Sequence, residues 1–481
     1  MTTALVWFRR DLRLADNPAL YDAVRQAQRI VPVYIDGFEA PGTEPGGAGR
    51  WWQHHALAAL SADLQALGAP LLIRRGEPLA VLRELAQQVG ATVAVWNRLY
   101  EPAQDRADRR LAEALIGDGL RVDTFNASLV VEPWDVKTQT GGPYRVYTPF
   151  SRTVRARGLP RAPLPAPTRL DGVPGLQGLS VEDLGLRPTI AWDAGFAPVW
   201  TPGERGAHQR LERFCAEALA GYADGRDRPD RVLTSMLSPH LHFGDIGPVQ
   251  VLSRLQRALA EQHGAGVAGG AEVFEREIYW REFAHHVLFH FPQTPVAPMD
   301  PRYAAFPWRE PADYADDLRR WQRGQTGVPI IDAGMRQLWT TGWMHNRVRM
   351  IVSSYLVKNL LIPWQEGAAW FWDTLLDADQ ANNTLGWQWI AGSGADAAPY
   401  FRVFNPVTQS QKFDPDALYI QRWVPEIARL GKKSIHAPWM GDPADLARNR
   451  LQLGHDYPMP SVDLGESRGR ALKAFERLKA G

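Results

Sequence analysis

A single cysteine, Cys215, stands in a chain of 481 residues. One thiol excludes an intramolecular disulfide framework and any zinc or iron–sulfur site built on several cysteine ligands. It is consistent with a reducing compartment, and a cytoplasmic location is expected. An excess of one charge sign is also missing, with 54 Lys and Arg against 53 Asp and Glu. Bulk charge therefore gives no argument for a nucleic-acid partner, and any such surface has to be a local basic patch. No apolar stretch approaches the roughly 18 residues of a membrane span. The N-terminal MTTALVWFRRDLRL lacks a long apolar run and a small-residue cleavage site, so no membrane association is expected. Glycine is absent from RRDLRLADN, the segment after the first candidate strand. The Gly-rich phosphate turn of dinucleotide-binding α/β domains is therefore not at that point.

What is abundant is tryptophan, 19 residues, which by itself indicates core or interface. Residues 1–130 alternate short apolar runs (Ala4–Phe8, Ile30–Ile35, Pro70–Ile73, Thr92–Trp96, Arg121–Phe125) with helical patterns (Pro18–Ala27, Trp52–Leu67, Pro78–Val89, Gln104–Leu115). That rhythm predicts an α/β domain with a doubly wound parallel sheet. Arg9, Arg10 and Arg13 read as a solvated loop held by Asp11 and Asp16. Proline and glycine accumulate in 131–204, read as a mostly irregular connector. Residues 205–481 predict an all-α domain, with helices over His208–Leu219, Pro248–Gln262, Glu272–Phe291, Asp332–Thr340 and Trp343–Leu361. There is no internal repeat.

Four stretches carry chemistry. TSMLSPHLHFG (Thr234–Gly244) crowds the hydroxyls of Thr234, Ser235 and Ser238 at a helix start, which suits either a phosphate cradle or an ordinary N-cap. In EREIYWREF (Glu275–Phe283), Glu277, Trp280 and Arg281 share a helix face, able to read a base and hold a phosphate, or simply to form a salt bridge beside a core Trp. In WMHNRVRM (Trp343–Met350), Asn346 and Met350 are one turn apart, flanked by Trp343 and Arg347, with Arg349 pointing elsewhere. DADQANNTLGWQW (Asp377–Trp389) reads as a loop bearing Asp377, Asp379, Asn382, Asn383 and Thr384. Trp364, Trp370, Trp372, Trp387 and Trp389 are expected to pack around it, and Arg349 to pair with Asp377. So many polar groups between apolar helices need partners, and a flavin ring offers them. His240 with His242, and His286 with His290, lack a third ligand or a zincin Glu, so no metal is assigned.

Together with VWFRRDLRLADNPAL and DAAPYFRVFNPVTQSQKFDP, these motifs resemble the DNA photolyase/cryptochrome family over nearly the whole chain, and within it the class I cyclobutane pyrimidine dimer photolyases. The resemblance implies a helical domain holding FAD and a light-driven repair of dimers in UV-damaged DNA. It implies FAD contacts from Tyr222, Thr234, Ser235, Met236 (where Arg is common), Leu237, Ser238, Phe274, Arg281, Asn346, Arg349, Asp377 and Asp379, with Asn383 facing flavin N5. Trp387, Trp364 and Trp308 match a chain passing electrons from the surface. Glu277, Trp280, Asn346, Met350 and Trp389 match a lesion pocket, and Arg226, Arg281, Arg347 and Gln409 match DNA-facing positions. Folate-binding relatives carry Asn and Glu where Ala103 and Gln104 stand, and a Cys–Lys pair where this chain has Pro-Val-Ala-Pro from Pro295. A deazaflavin, another antenna or none is expected rather than a folate. The expected assembly is a monomer. The rivals are a cryptochrome photoreceptor, opposed by Asn383 and the missing C-terminal extension, and a (6-4) photolyase, opposed by Asn346 where that class uses His. A flavin oxidoreductase that works without light is a more remote alternative.

Overall fold

The computed structural model describes residues 2–262, 264–396 and 402–480. Five parallel strands run β1 (Thr3–Phe8), β2 (Arg29–Asp36), β3 (Leu72–Arg75), β4 (Val93–Asn97) and β5 (Arg121–Phe125), in the order β3-β2-β1-β4-β5. β1 lies in the middle and every one of its residues, TALVWF, is buried. A strand covered on both faces needs such an unbroken apolar run. Between the strands lie α1 (Pro18–Gln26), α2 (Gly47–Leu67), α3 (Pro78–Val89) and α4 (Pro102–Gly117). Three of these start on proline, whose fixed φ and missing N–H suit a first helical turn.

Several local expectations change. The α2 helix begins five residues before Trp52, at Gly47, and its two leading glycines let the helical half approach. A Cβ on Gly46 would sit 2.3 Å from the Trp372 carbonyl oxygen, while Gly47 N–H donates to Asp373 Oδ1 at 2.8 Å. Arg9, Arg10 and Arg13 are buried, not solvated. Arg9 forks onto both Asp108 carboxylate oxygens at 2.7 Å, and Arg10 pairs with Glu101 at 2.7 Å. Arg13 donates to Gly244 O, Asp16 O and Ala127 O. Inside the irregular connector stands a regular helix, α5 (Tyr147–Arg157).

The rest is helical. The longest helix, Ala265–His290, starts seven residues before Glu272. Asn346–Ser354 closes in a π-helical turn over Tyr355–Asn359, and Trp364–Thr374 and Gln380–Ala391 follow. One apolar cluster gathers Val348, Leu356, Trp364 and Trp387, and another gathers Phe214, Tyr222, Phe274 and Phe283. The functional cavity opens between the two. No helix among the described residues is long and apolar enough to cross a membrane.

Candidate active site

A cavity of about 1200 Å³ brings together every expected FAD, lesion and DNA residue except Gln409, and of the electron chain it takes Trp387. That volume exceeds the few hundred to about 1000 Å³ typical of a single small-molecule pocket. Its inner wall is the loop Thr234–Leu237 and the helix Ser238–Phe243. Their hydroxyls face the cavity beside Tyr222 and Phe274. Met236 holds φ +50°, a left-handed turn that non-glycine residues rarely adopt.

The acid–amide stretch is not one loop. Asp379 is the N-cap of Gln380–Ala391, and its Oδ1 accepts from Asn382 N–H at 2.8 Å. Asn382, Asn383 and Thr384 thus lie in the helix, and only Asp377 to Asp379 remain as loop. Asp379 Oδ2 sits 3.6 Å from both His242 Nδ1 and His285 Nε2. Burial alone would raise this carboxyl, but the two imidazoles overcome it and hold it well below the usual range. Asp377 Oδ2 accepts from Arg349 Nη2 at 2.8 Å, as expected, which turns Arg349 onto the cavity wall. Asp377 Oδ1 is buried with no protein partner, so a bound donor is called for there. Asn383 Nδ2 donates to Ala368 O at 3.1 Å, which leaves its carbonyl oxygen to accept from a ligand. The hydroxyl cradle, the orphaned acceptor and the aromatic flank fit FAD.

At the mouth, Glu277 accepts from Arg226 Nη1, and Arg347 Nη2 donates to Asp227 Oδ2 at 2.8 Å. The Arg347 guanidinium also lies 4.3 Å from the centre of the Phe413 ring. Phe413 closes the helix Pro406–Phe413, and Gln409 on that helix is not part of the cavity lining. Arg281 spends two N–H groups on Ser128 O and Leu241 O. The Asn346 helix is capped by His345, whose Nδ1 accepts from Arg347 N–H at 3.2 Å. Burial pulls this imidazole down to about 4, so it stays neutral and able to accept.

The tryptophans separate. Trp387 is 2% and Trp364 3% exposed, and Trp308 is half-buried against the same cluster. Gly367 lets Trp387 lie flat on its helix, since a Cβ there would meet the indole at 2.1 Å. Trp370 and Trp372 do not surround the site. Trp370 stacks on Trp339, and Trp372 Nε1 donates to Glu44 O in the sheet half. His240 is held by Asp245 at 2.8 Å. Gln104, near the expected antenna positions, is committed to Ala40 N–H and Asp108. The stretch Ala397–Phe401 of the last motif lies outside the described residues. Sequence reasoning missed Tyr147, Asp227, His285, His345 and Asp396. His345 stands inside WMHNRVRM and Asp227 in a charged run, but the roles of Tyr147, Asp227, His285 and Asp396 depend on partners far along the chain.

Comparison with known proteins agrees with this geometry. Residues 4–168 match the family described as DNA photolyase, and residues 274–477 match the FAD binding domain of DNA photolyase. A deoxyribodipyrimidine photo-lyase of Agrobacterium fabrum is 46% identical over 99% of this chain and 98% of its own. Cryptochrome-2 of Arabidopsis thaliana is 38% identical over 99% of this chain and 79% of its own. The crystal structure of a bacterial class III photolyase from Agrobacterium tumefaciens superposes with a TM-score of 0.96 at 44% identity, covering 100% of this chain and 98% of that one. The chain belongs to the photolyase/cryptochrome family, and its cofactor is FAD.

Proposed function

We propose that this protein is a deoxyribodipyrimidine photo-lyase that repairs cyclobutane pyrimidine dimers in UV-damaged DNA under blue light. The observation that carries this is one continuous cavity, polar and FAD-fitting at its floor, with Glu277, Trp280, Asn346, Met350 and Trp389 at its mouth. Reduced FAD, when bound and excited, supplies the electron that opens the cyclobutane ring. The chain does the placing. Trp280 and Trp389 offer aromatic faces to a flipped-out lesion, and Met350 adds a soft apolar wall. Glu277 is set to accept a hydrogen bond from a ring N–H of the lesion, which fixes the orientation of the lesion in the pocket. Arg226 and Arg347 face phosphates flanking the lesion, and this sequence-independent affinity falls with salt. Trp387, Trp364 and Trp308, running from buried to half-buried, are the route by which electrons reach the cofactor from the surface. Asn383 supports a fully reduced resting state by accepting from a ring N–H. The protein acts as a cytoplasmic monomer on single- or double-stranded DNA. The likeness to a class III structure supports that subgroup over the class I expected from the motifs.

The 38% identity to a plant cryptochrome supports a second reading, a photoreceptor without repair. One experiment separates them. Protein with reduced FAD is mixed with UV-irradiated oligothymidylate in blue light and in darkness, and dimers and (6-4) products are scored separately. Dimer loss only in light is expected, reduced at least about tenfold in Glu277→Ala through the lost charged hydrogen bond. Dimers that persist in the light refute repair, and loss of (6-4) products alone moves the substrate.

A further inference from the structure

Beside Trp280, and part of the same cavity lining, lies a residue of the connector. Tyr147, the first residue of α5, stacks flat on Trp280, with ring centroids 3.8 Å apart and planes 6° from parallel. Tyr147 is 7% exposed, whereas Trp280 keeps an open side in the cavity. The Tyr147 hydroxyl donates to Arg276 O at 2.8 Å, one turn before Trp280 on the same helix. Burial, with Glu277 nearby, pushes this phenol up to about 12, so it remains a donor. Its backbone is tied as well. Tyr147 N–H reaches Asp396 Oδ1 at 3.4 Å, and Asp396 N–H returns to Arg145 O at 3.1 Å. The Asp396 carbonyl accepts from Trp389 Nε1 at 3.1 Å. Asp396 itself holds φ +55°, a strained backbone that persists only where its surroundings fix it.

We infer that Tyr147 is a positioning residue for lesion recognition, and that the connector strap Arg145–Tyr147 with Asp396 braces both tryptophan faces of the pocket. The inference rests on the repair reading above. A wall that stacks a nucleobase gains only if its ring is already held in place, because an indole free to rotate loses part of the stacking gain to its own ordering. Tyr147 occupies the side of Trp280 that the lesion leaves, so Trp280 has one orientation in which to wait. Asp396 couples that ring to Trp389, so both walls are set by the same few residues of backbone.

The test compares Tyr147→Leu and Tyr147→Phe with the parent protein, all loaded with FAD. Affinity for a dimer-bearing oligonucleotide, affinity for the undamaged strand, and repair per bound dimer are measured. Tyr147→Phe, which keeps the stacked ring, should bind the dimer within about twofold of the parent. Tyr147→Leu should bind it about tenfold more weakly, the size of one aromatic pair, with FAD content, flavin spectrum and undamaged-strand affinity unchanged. Equal dimer affinity in Tyr147→Leu overturns the inference. So does an equal loss on undamaged DNA, which would mark a phosphate effect, or loss of FAD, which would mark a support of the fold. If the parent protein itself fails to repair dimers, the functional reading fails first, and that outcome is distinct from any of these.

Discussion

Replacing His345 with asparagine isolates one titration that sits directly under the lesion pocket. His345 is 2% exposed and caps the helix bearing Asn346, Arg347 and Met350 through Nδ1. Its Nε2 is buried without a partner. Protonation would both break the cap and bury a charge between Arg347 and Arg349. Burial accordingly lowers the group from 6.5 to about 4. With the folded value below the unfolded one, the native state binds fewer protons between those limits, so its stability falls as pH drops through that window. Between pH 7 and pH 5 the loss is about 2 kcal/mol. Asparagine is among the best N-caps, so His345→Asn keeps an acceptor for Arg347 N–H and removes the titration. Urea unfolding followed by tryptophan fluorescence at the two pH values should show the parent losing about 2 kcal/mol more than the variant. Parallel losses would refute the reasoning.

Glu282 runs the other way. It is buried against Val130 N–H and Val131 N–H, and burial lifts it to about 7 against the opposing pull of Arg281. An acid raised on folding holds its proton longer in the native state, so stability falls as pH rises from about 4.5 to about 7. Glu282→Gln, which keeps an acceptor, should be spared about 3 kcal/mol of that fall. Unfolding free energies at pH 5 and pH 8 check this, and equal falls would contradict it. Asp377→Asn removes the charged partner of Arg349 and should weaken FAD retention about tenfold, read as flavin fluorescence released on dilution. Undiminished retention would remove Asp377 from the cofactor site.

The fold was legible where local pattern decides it. The five strands were placed to within two residues at each end, since buried parallel strands are written as unbroken apolar runs bounded by turns. The motif residues converged on one cavity because many lie on helices whose inward faces follow a period of 3.6, and the loops Thr234–Leu237 and Asp377–Asp379 lead directly into such helices. What stayed hidden depends on partners far along the chain. Arg9 reads as solvated because its carboxylate partner is Asp108, across the sheet. Trp370 and Trp372 read as site residues because their helix borders the site, yet their rings turn outward to Trp339 and Glu44. Asn382 to Thr384 read as loop because polar residues suggest turns, while the N-cap role of Asp379 commits them to a helix. Tyr147 carried no signal, since an aromatic in a proline-rich stretch is unremarkable until a second ring is found 3.8 Å away.

The two halves of the molecule are sewn together below the surface. The Asp245 carboxylate, at 0% exposure, takes a hydrogen bond from Trp52 Nε1 of the sheet half, and Arg13 reaches back to the Gly244 carbonyl. A gene fragment encoding only the helical portion would leave that acid short of a donor and strip the lid from a buried seam. Engineers seeking a minimal flavin module from this chain would have to rebuild that seam, and grafting a different sheet domain onto it requires carrying Arg13 and Trp52 across.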